Sequence, residues 1–211
     1  MDGPDATFAR RAGRISLPMA RMKNPFASLL LLGLSVVSAF AAVPKAHEET
    51  AFLFENRKLV VAVPEGFGCV TSKNEDSIVT MKLADPKDRY SVELLFLPDP
   101  EGQFTSARAR REKMVEMLAD YVGQSREKGM QFEELDPRTG AGTYCVFTDT
   151  TLLGKEKLPP GEYLHLTAGL KIWPGVVVIF RFFSNDTAST EYRALMKMLR
   201  ESVEEKAVPL R

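Results

Sequence analysis

Tyr163-Leu164-His165-Leu166-Thr167-Ala168-Gly169-Leu170-Lys171-Ile172, then Trp173-Pro174-Gly175, then Val176-Val177-Val178-Ile179-Phe180-Arg181-Phe182-Phe183: this stretch decides the fold. In its first run Leu164, Leu166, Ala168, Leu170 and Ile172 alternate with Tyr163, His165, Thr167, Gly169 and Lys171, the period-two pattern of a strand with one apolar face. Pro174 supplies no ladder donor and Gly175 tolerates positive φ, so the pair turns the chain. The second run is apolar at nearly every position and rich in β-branched and aromatic residues, which predicts a central strand covered on both faces. Arg181 inside it then needs a carboxylate partner or a route to solvent. Ser184-Asn185-Asp186 closes the strand, with Asp186 placed to cap a helix whose stripe is Tyr192, Leu195, Met196, Leu199 and Val203.

Toward the amino terminus, Gly154 to Gly161 is a polar loop containing Lys155-Glu156-Lys157 and Pro159-Pro160. Before it, Gly142 to Leu153 reads as a strand, with Tyr144, Val146 and Thr148 on one face and Cys145, Phe147 and Asp149 on the other. Phe132 to Leu135 is a short strand candidate. Thr105 or Ser106 caps a helix with the stripe Met114, Met117, Leu118, Tyr121 and Val122, which Gly129 terminates. Ile78 to Leu83 and Tyr90 to Leu97 form an antiparallel hairpin, Val79, Met81 and Leu83 matching Val92, Leu94 and Phe96. Lys58 to Val63 is a strand stopped by Pro64-Glu65-Gly66-Phe67. The expectation is one α+β domain over residues 58–204, a mainly antiparallel sheet flanked by two helices as an α/β/α sandwich. Residues 42–57 read as a flexible lead-in and 205–211 as a tail.

Residues 1–41 have a different character. Met19 and Met22 are alternative starts, and after Met22 come a basic Lys23, the apolar Phe26 to Val37, and Ala39 and Ala41 flanking Phe40. That order predicts an export signal cleaved before Ala42 and a periplasmic destination. The competing reading takes the 18 residues from Phe26 to Val43 as an uncleaved anchor, which would make the chain a membrane-tethered partner protein, though Gly33, Ser35 and Ser38 interrupt the span. The leader holds five Lys and Arg and two Asp and Glu, so of the 28 residues of each sign the rest of the chain keeps 23 basic and 26 acidic. A slightly acidic domain without aromatics interleaved among Arg excludes nucleic acid as the main partner.

The order of elements carries a resemblance. An opening strand ends in V-P-x-G-F at Val63 to Phe67, a hairpin and a long helix follow, G-x-x-x-x-F occupies Gly175 to Phe180, and S-N-D precedes the terminal helix. In this the chain resembles the PsbP-like superfamily, including bacterial envelope proteins of the DcrB type. The resemblance implies an α/β/α sandwich acting as an accessory, assembly or binding protein, and brings no catalytic motif. The acidic and His metal cluster of the photosynthetic members is not evident here.

The candidates for chemistry are few. Cys69 and Cys145 are the two cysteines, and both lie in the part expected to be exported. Joined, they would close a loop of 76 residues and stabilise by roughly 4 to 4.5 kcal/mol; the alternative is two buried thiols acting as small hydrophobes. His165 and Asp149 form the one base and carboxylate combination that a hydrolase would need, but no activated nucleophile accompanies them. His47 and His165 are far apart and no paired spacing of metal ligands exists, so no metal site and no cofactor are expected. Arg108, Arg110, Arg111 and Lys113 open the first helix as a cationic group, interleaved with Glu112 and Glu116, and Trp173 at the hairpin tip is either a recognition anchor or a core residue. The functional expectation is an exported, non-catalytic accessory or binding protein of the cell envelope with an unknown protein or small-ligand partner. The alternatives are an envelope hydrolase using His165 and Asp149, or the membrane-tethered protein.

Overall fold

The computed structural model describes residues 45–53, 57–75, 78–136, 140–201 and 203–205. The expected export signal, its expected cleavage before Ala42 and the residues after Glu205 lie outside them. Among the described residues are ten strands and two helices, in the order β1 (His47–Phe52), β2 (Lys58–Val63), β3 (Gly68–Lys73), β4 (Val79–Ala84), β5 (Tyr90–Asp99), α1 (Ala107–Gln124), β6 (Glu133–Leu135), β7 (Gly142–Thr148), β8 (His165–Trp173), β9 (Gly175–Ser184), α2 (Thr190–Glu201) and β10 (Val203–Glu205). Seven of the strands form one antiparallel sheet in the order β3-β4-β5-β9-β8-β7-β6, and a small antiparallel sheet has the order β1-β2-β10.

The hairpin read from the sequence is the middle of the large sheet. β8 runs into β9 through a tight turn at Pro174 and Gly175, with Trp173 opposite Val176 and Gly175 at φ 73. β9 is flanked by β5 and β8, so its side chains alternate between two cores. Val178, Phe180 and Phe182 pack with Met81, Leu94, Phe96, β2 and α2, while Val177 and Ile179 pack with Cys145, Phe147, Leu170 and the Met114, Leu118 and Tyr121 stripe of α1. Burial on both faces is therefore real: Val178 and Phe180 are wholly inaccessible, Val177 is 3% exposed and Ile179 8%. Arg181 finds its carboxylate in Glu93, 3.4 Å away across the β5 pairing. The β4–β5 register pairs Val79 with Phe96, Met81 with Leu94 and Leu83 with Val92, as the alternation requires. The layers are thus α1, the seven-stranded sheet, and a third layer shared by α2 and the small sheet.

Several expectations are corrected. Residues 47–52, read as part of a flexible lead-in, form β1, because β2 has an edge to offer and Ala51 fills a core position at 0% exposure. The cap of α2 is Ser189, whose Oγ accepts from the Tyr192 N–H at 3.1 Å; Asp186 instead accepts from Ala188 and makes a local turn. α2 ends at Glu201, so Val203 belongs to β10 and not to the helical stripe. Ser106 caps α1, but the helix stops at Gln124 and not at Gly129, because Ser125 turns extended to bridge Asp149 at the end of β7. The polar face of β8 is not a solvent face either. Thr167 bonds to Tyr192 at 2.7 Å, and Lys171, fully buried, donates to the Leu199 and Arg200 carbonyls at the end of α2 while lying 4.4 Å above the Trp173 ring.

Candidate functional site

The β4–β5 turn and the loop between β7 and β8 face each other across an open polar cleft of about 610 Å³. The turn is built on Asp85, 4% exposed, whose Oδ1 accepts from the Arg89 and Tyr90 N–H groups at 2.6 and 2.9 Å while Oδ2 accepts from Arg89 Nε at 3.0 Å. Asp88 sits in the left-handed region at φ 53, which few non-glycine residues adopt. That conformation aims its carboxylate across the gap, where it accepts from the Tyr163 hydroxyl at 2.7 Å and from the Gly161 N–H at 3.0 Å. Burial, with the Asp88 charge added, pushes the Tyr163 phenol far up, so it stays a donor. On the far wall Asn185 accepts from the Leu164 N–H at 3.1 Å.

What lines the cleft is charged. Arg89 is neutralised by Asp85 and by Glu191 at 3.3 Å. Lys87, Lys155 and Lys157 have no carboxylate partner among the described residues, and Glu156 and Glu162 share the rim with them. Such a lip can dock a polar segment or surface bearing carboxylates and amides.

The residues singled out from the sequence are dispersed. Cys69 on β3 and Cys145 on β7 are both free and belong to different cores. Five strand spacings separate β3 from β7, roughly 24 Å, so the proposed bridge is ruled out by distance. Burial, reinforced by Glu49 at Cys69 and by Glu133 at Cys145, pushes both thiols up to about 12, which leaves them without thiolate character. Asp149, 1% exposed, holds its own turn by accepting from the Thr151 N–H and Oγ, both at 2.8 Å. The group beside His165 is instead Thr148, at 3.2 Å, itself held by Glu127 through its N–H and its hydroxyl at 2.8 Å. Burial lowers the His165 pKa against the opposing pull of Glu127 and Asp186.

Trp173, 9% exposed, is a core residue and not a recognition anchor. Arg108 pairs with Glu112 at 2.8 Å; Arg111 pairs with Glu134 at 2.8 Å and lies over the Phe132 ring. Arg110 is drawn inside, bonding Thr143, the Phe104 and Thr105 carbonyls and Glu134, so the cationic group of α1 is neutralised internally. Among the described residues no group of three or more His, Cys, Asp or Glu is placed to hold a metal ion, and no helix is long and apolar enough to cross a membrane. Reasoning from sequence located the two sides of the cleft as a turn and an exposed loop; the Asp88–Tyr163 brace that joins them spans 75 residues and leaves no local signal.

Fold and cleft together define an α+β protein whose cleft is framed by loops and rimmed by side chains of both charges. Comparison of the chain with protein-family models, characterised proteins and solved structures finds no significant match.

Proposed function

We propose that this chain is an exported, non-catalytic accessory or binding protein of the cell envelope, and that the cleft between the β4–β5 turn and the 150–162 loop receives a polar, carboxylate-bearing partner. The observation that carries this reading is Asp88, held at φ 53 so that its carboxylate braces the two walls through Tyr163 and Gly161. Unfavourable backbone geometry persists where the surroundings fix it, and here it holds open a lip whose lysines are left without carboxylate partners. The resemblance to PsbP-like accessory proteins and the export signal read before Ala42 support the same assignment. The test is a backbone-amide NMR titration with a hexaglutamate peptide. Shifts confined to Lys87, the Gly154–Gly161 loop and Asn185, lost in a Lys87→Glu, Lys155→Glu, Lys157→Glu variant, are the expected result; shifts absent or scattered over the surface refute it. Intact-mass measurement of the protein from the cell envelope should show Ala42 as the first residue, and retention of residues 26–43 would replace the soluble form by the tethered one.

A further inference from the structure

Each sheet has two edges, and the protein treats them differently. β6 has three residues, and its carboxylates are occupied, Glu134 by Arg110, Arg111 and Thr143 and Glu133 by the Tyr144 hydroxyl. β10 is equally short, and β1 carries His47, Glu48 and Glu49. Shortness and charge are the usual guards against edge-to-edge pairing. β3 is guarded least: Gly68-Cys69-Val70-Thr71-Ser72-Lys73 is six residues long, without proline or carboxylate, its single charge is Lys73 at its end, and its Val70 is 44% exposed.

The direction of its free hydrogen-bonding groups follows from the ladder. Asn74 donates to the Ile78 carbonyl, and Asp85 donates to the Tyr90 carbonyl. With antiparallel alternation, Gly68, Val70 and Ser72 therefore bond to β4, and Cys69, Thr71 and Lys73 point their N–H and C=O groups away from the sheet. We propose that β3 is the dimer interface of this protein, two copies pairing β3 antiparallel to β3 about a twofold axis at Thr71 so that both large sheets become one.

In that register Thr71 faces the partner's Thr71 and Cys69 faces the partner's Lys73, and six backbone hydrogen bonds close the edge. Charge selects a second copy over a foreign strand. Glu49 of β1 lies close enough to Cys69 to act on its thiol, and Lys73 projects from the same face of β3 as Cys69. The partner's Lys73 therefore arrives beside Glu49, and the symmetry repeats the pair at the other end. Neither Lys73 nor Glu49 has an ion-pair partner within the chain among the described residues. One strand pair is small beside a standard interface, so the association is reversible and concentration-dependent.

Sedimentation-velocity ultracentrifugation of the purified protein across the micromolar range tests this. A shift from monomer to dimer with concentration is expected, and a monomer throughout overturns the proposal. Thr71→Pro removes only an outward-facing N–H, so it should give a monomer with unchanged circular dichroism, and dimerisation equal to the parent overturns the register. Should Thr71→Pro not fold, the surface charges decide. Lys73→Glu and Glu49→Lys should each weaken the dimer by roughly tenfold, since two charge pairs turn repulsive. The double variant should restore it, and failure to restore overturns the pairing.

Discussion

Lys171→Met should leave stability almost unchanged near pH 7 and lower it by about 3 kcal/mol near pH 10.5. The methionine keeps the length and bulk of the side chain, so the change isolates the amine. That amine donates to two carbonyls at the end of α2, Leu199's buried and Arg200's half-buried. Orphaning them costs about 2 and about 1 kcal/mol. Against this, burial lowers the Lys171 pKa from 10.5 to about 8, so keeping the ammonium charged inside the fold costs about 3 kcal/mol. Between those two values the folded chain binds fewer protons than the unfolded chain. Wild-type stability therefore rises with pH from about 8 to 10.5, a rise the variant lacks. Urea unfolding of both proteins at half-unit steps from pH 7 to 10.5 measures the difference, in which other titrating groups cancel. Parallel curves would show that the amine is not held in a desolvated site, and a deficit that shrinks with pH would reverse the sign of the argument.

Gly169→Ala should cost about 3 kcal/mol or more, as a drop in the urea midpoint, because the added methyl would lie 2.3 Å from the Thr143 carbonyl oxygen and 2.7 Å from Phe180; an unchanged midpoint would mean that β7 and β9 yield freely. Ser189→Ala should lose about 0.5 to 2 kcal/mol with the α2 cap and Asp186→Ala less, and the reverse order would return the cap to Asp186. Because burial lowers the His165 pKa, its contribution to stability is complete above the unfolded value of about 6.5 and declines as pH falls through the lowered one. His165→Gln should flatten the thermal-midpoint profile between pH 7 and 5, and an unaltered slope would assign it to other groups.

The centre of the fold was legible and its margins were not, for a physical reason. β4, β5 and β9 are covered by other layers, so selection for apolar side chains writes their register into the sequence. β3, with its outward Val70, Ser72 and Lys73, is half solvated, and β1 opens with His47-Glu48-Glu49; neither composition reads as a strand until a neighbouring edge is known. Lys171 left no signal of its role, since a lysine in an alternating strand ordinarily marks water, whereas here it ends a helix. The doubly covered β9 held the clue, since a strand beside it must be covered too. The candidate cleft was visible only as two unconnected loops.

The sheet order bears on how quickly the chain assembles. β3, β4 and β5 follow one another as a meander, and β7, β8 and β9 as a second, so each half forms from contacts close in sequence. Within the sheet the two halves are joined through one strand pair, Tyr90–Asp99 with Gly175–Ser184, a ten-residue seam between segments more than 75 residues apart. Closing so long a loop costs more entropy than forming either meander, so the seam is the expected bottleneck of folding. The hypothesis is that the seam zips in the rate-limiting step. Truncations there, such as Leu95→Ala, should then slow refolding, whereas Val79→Ala in the first meander should act mainly on unfolding; stopped-flow rates in which both act on unfolding alone would place the seam after the barrier.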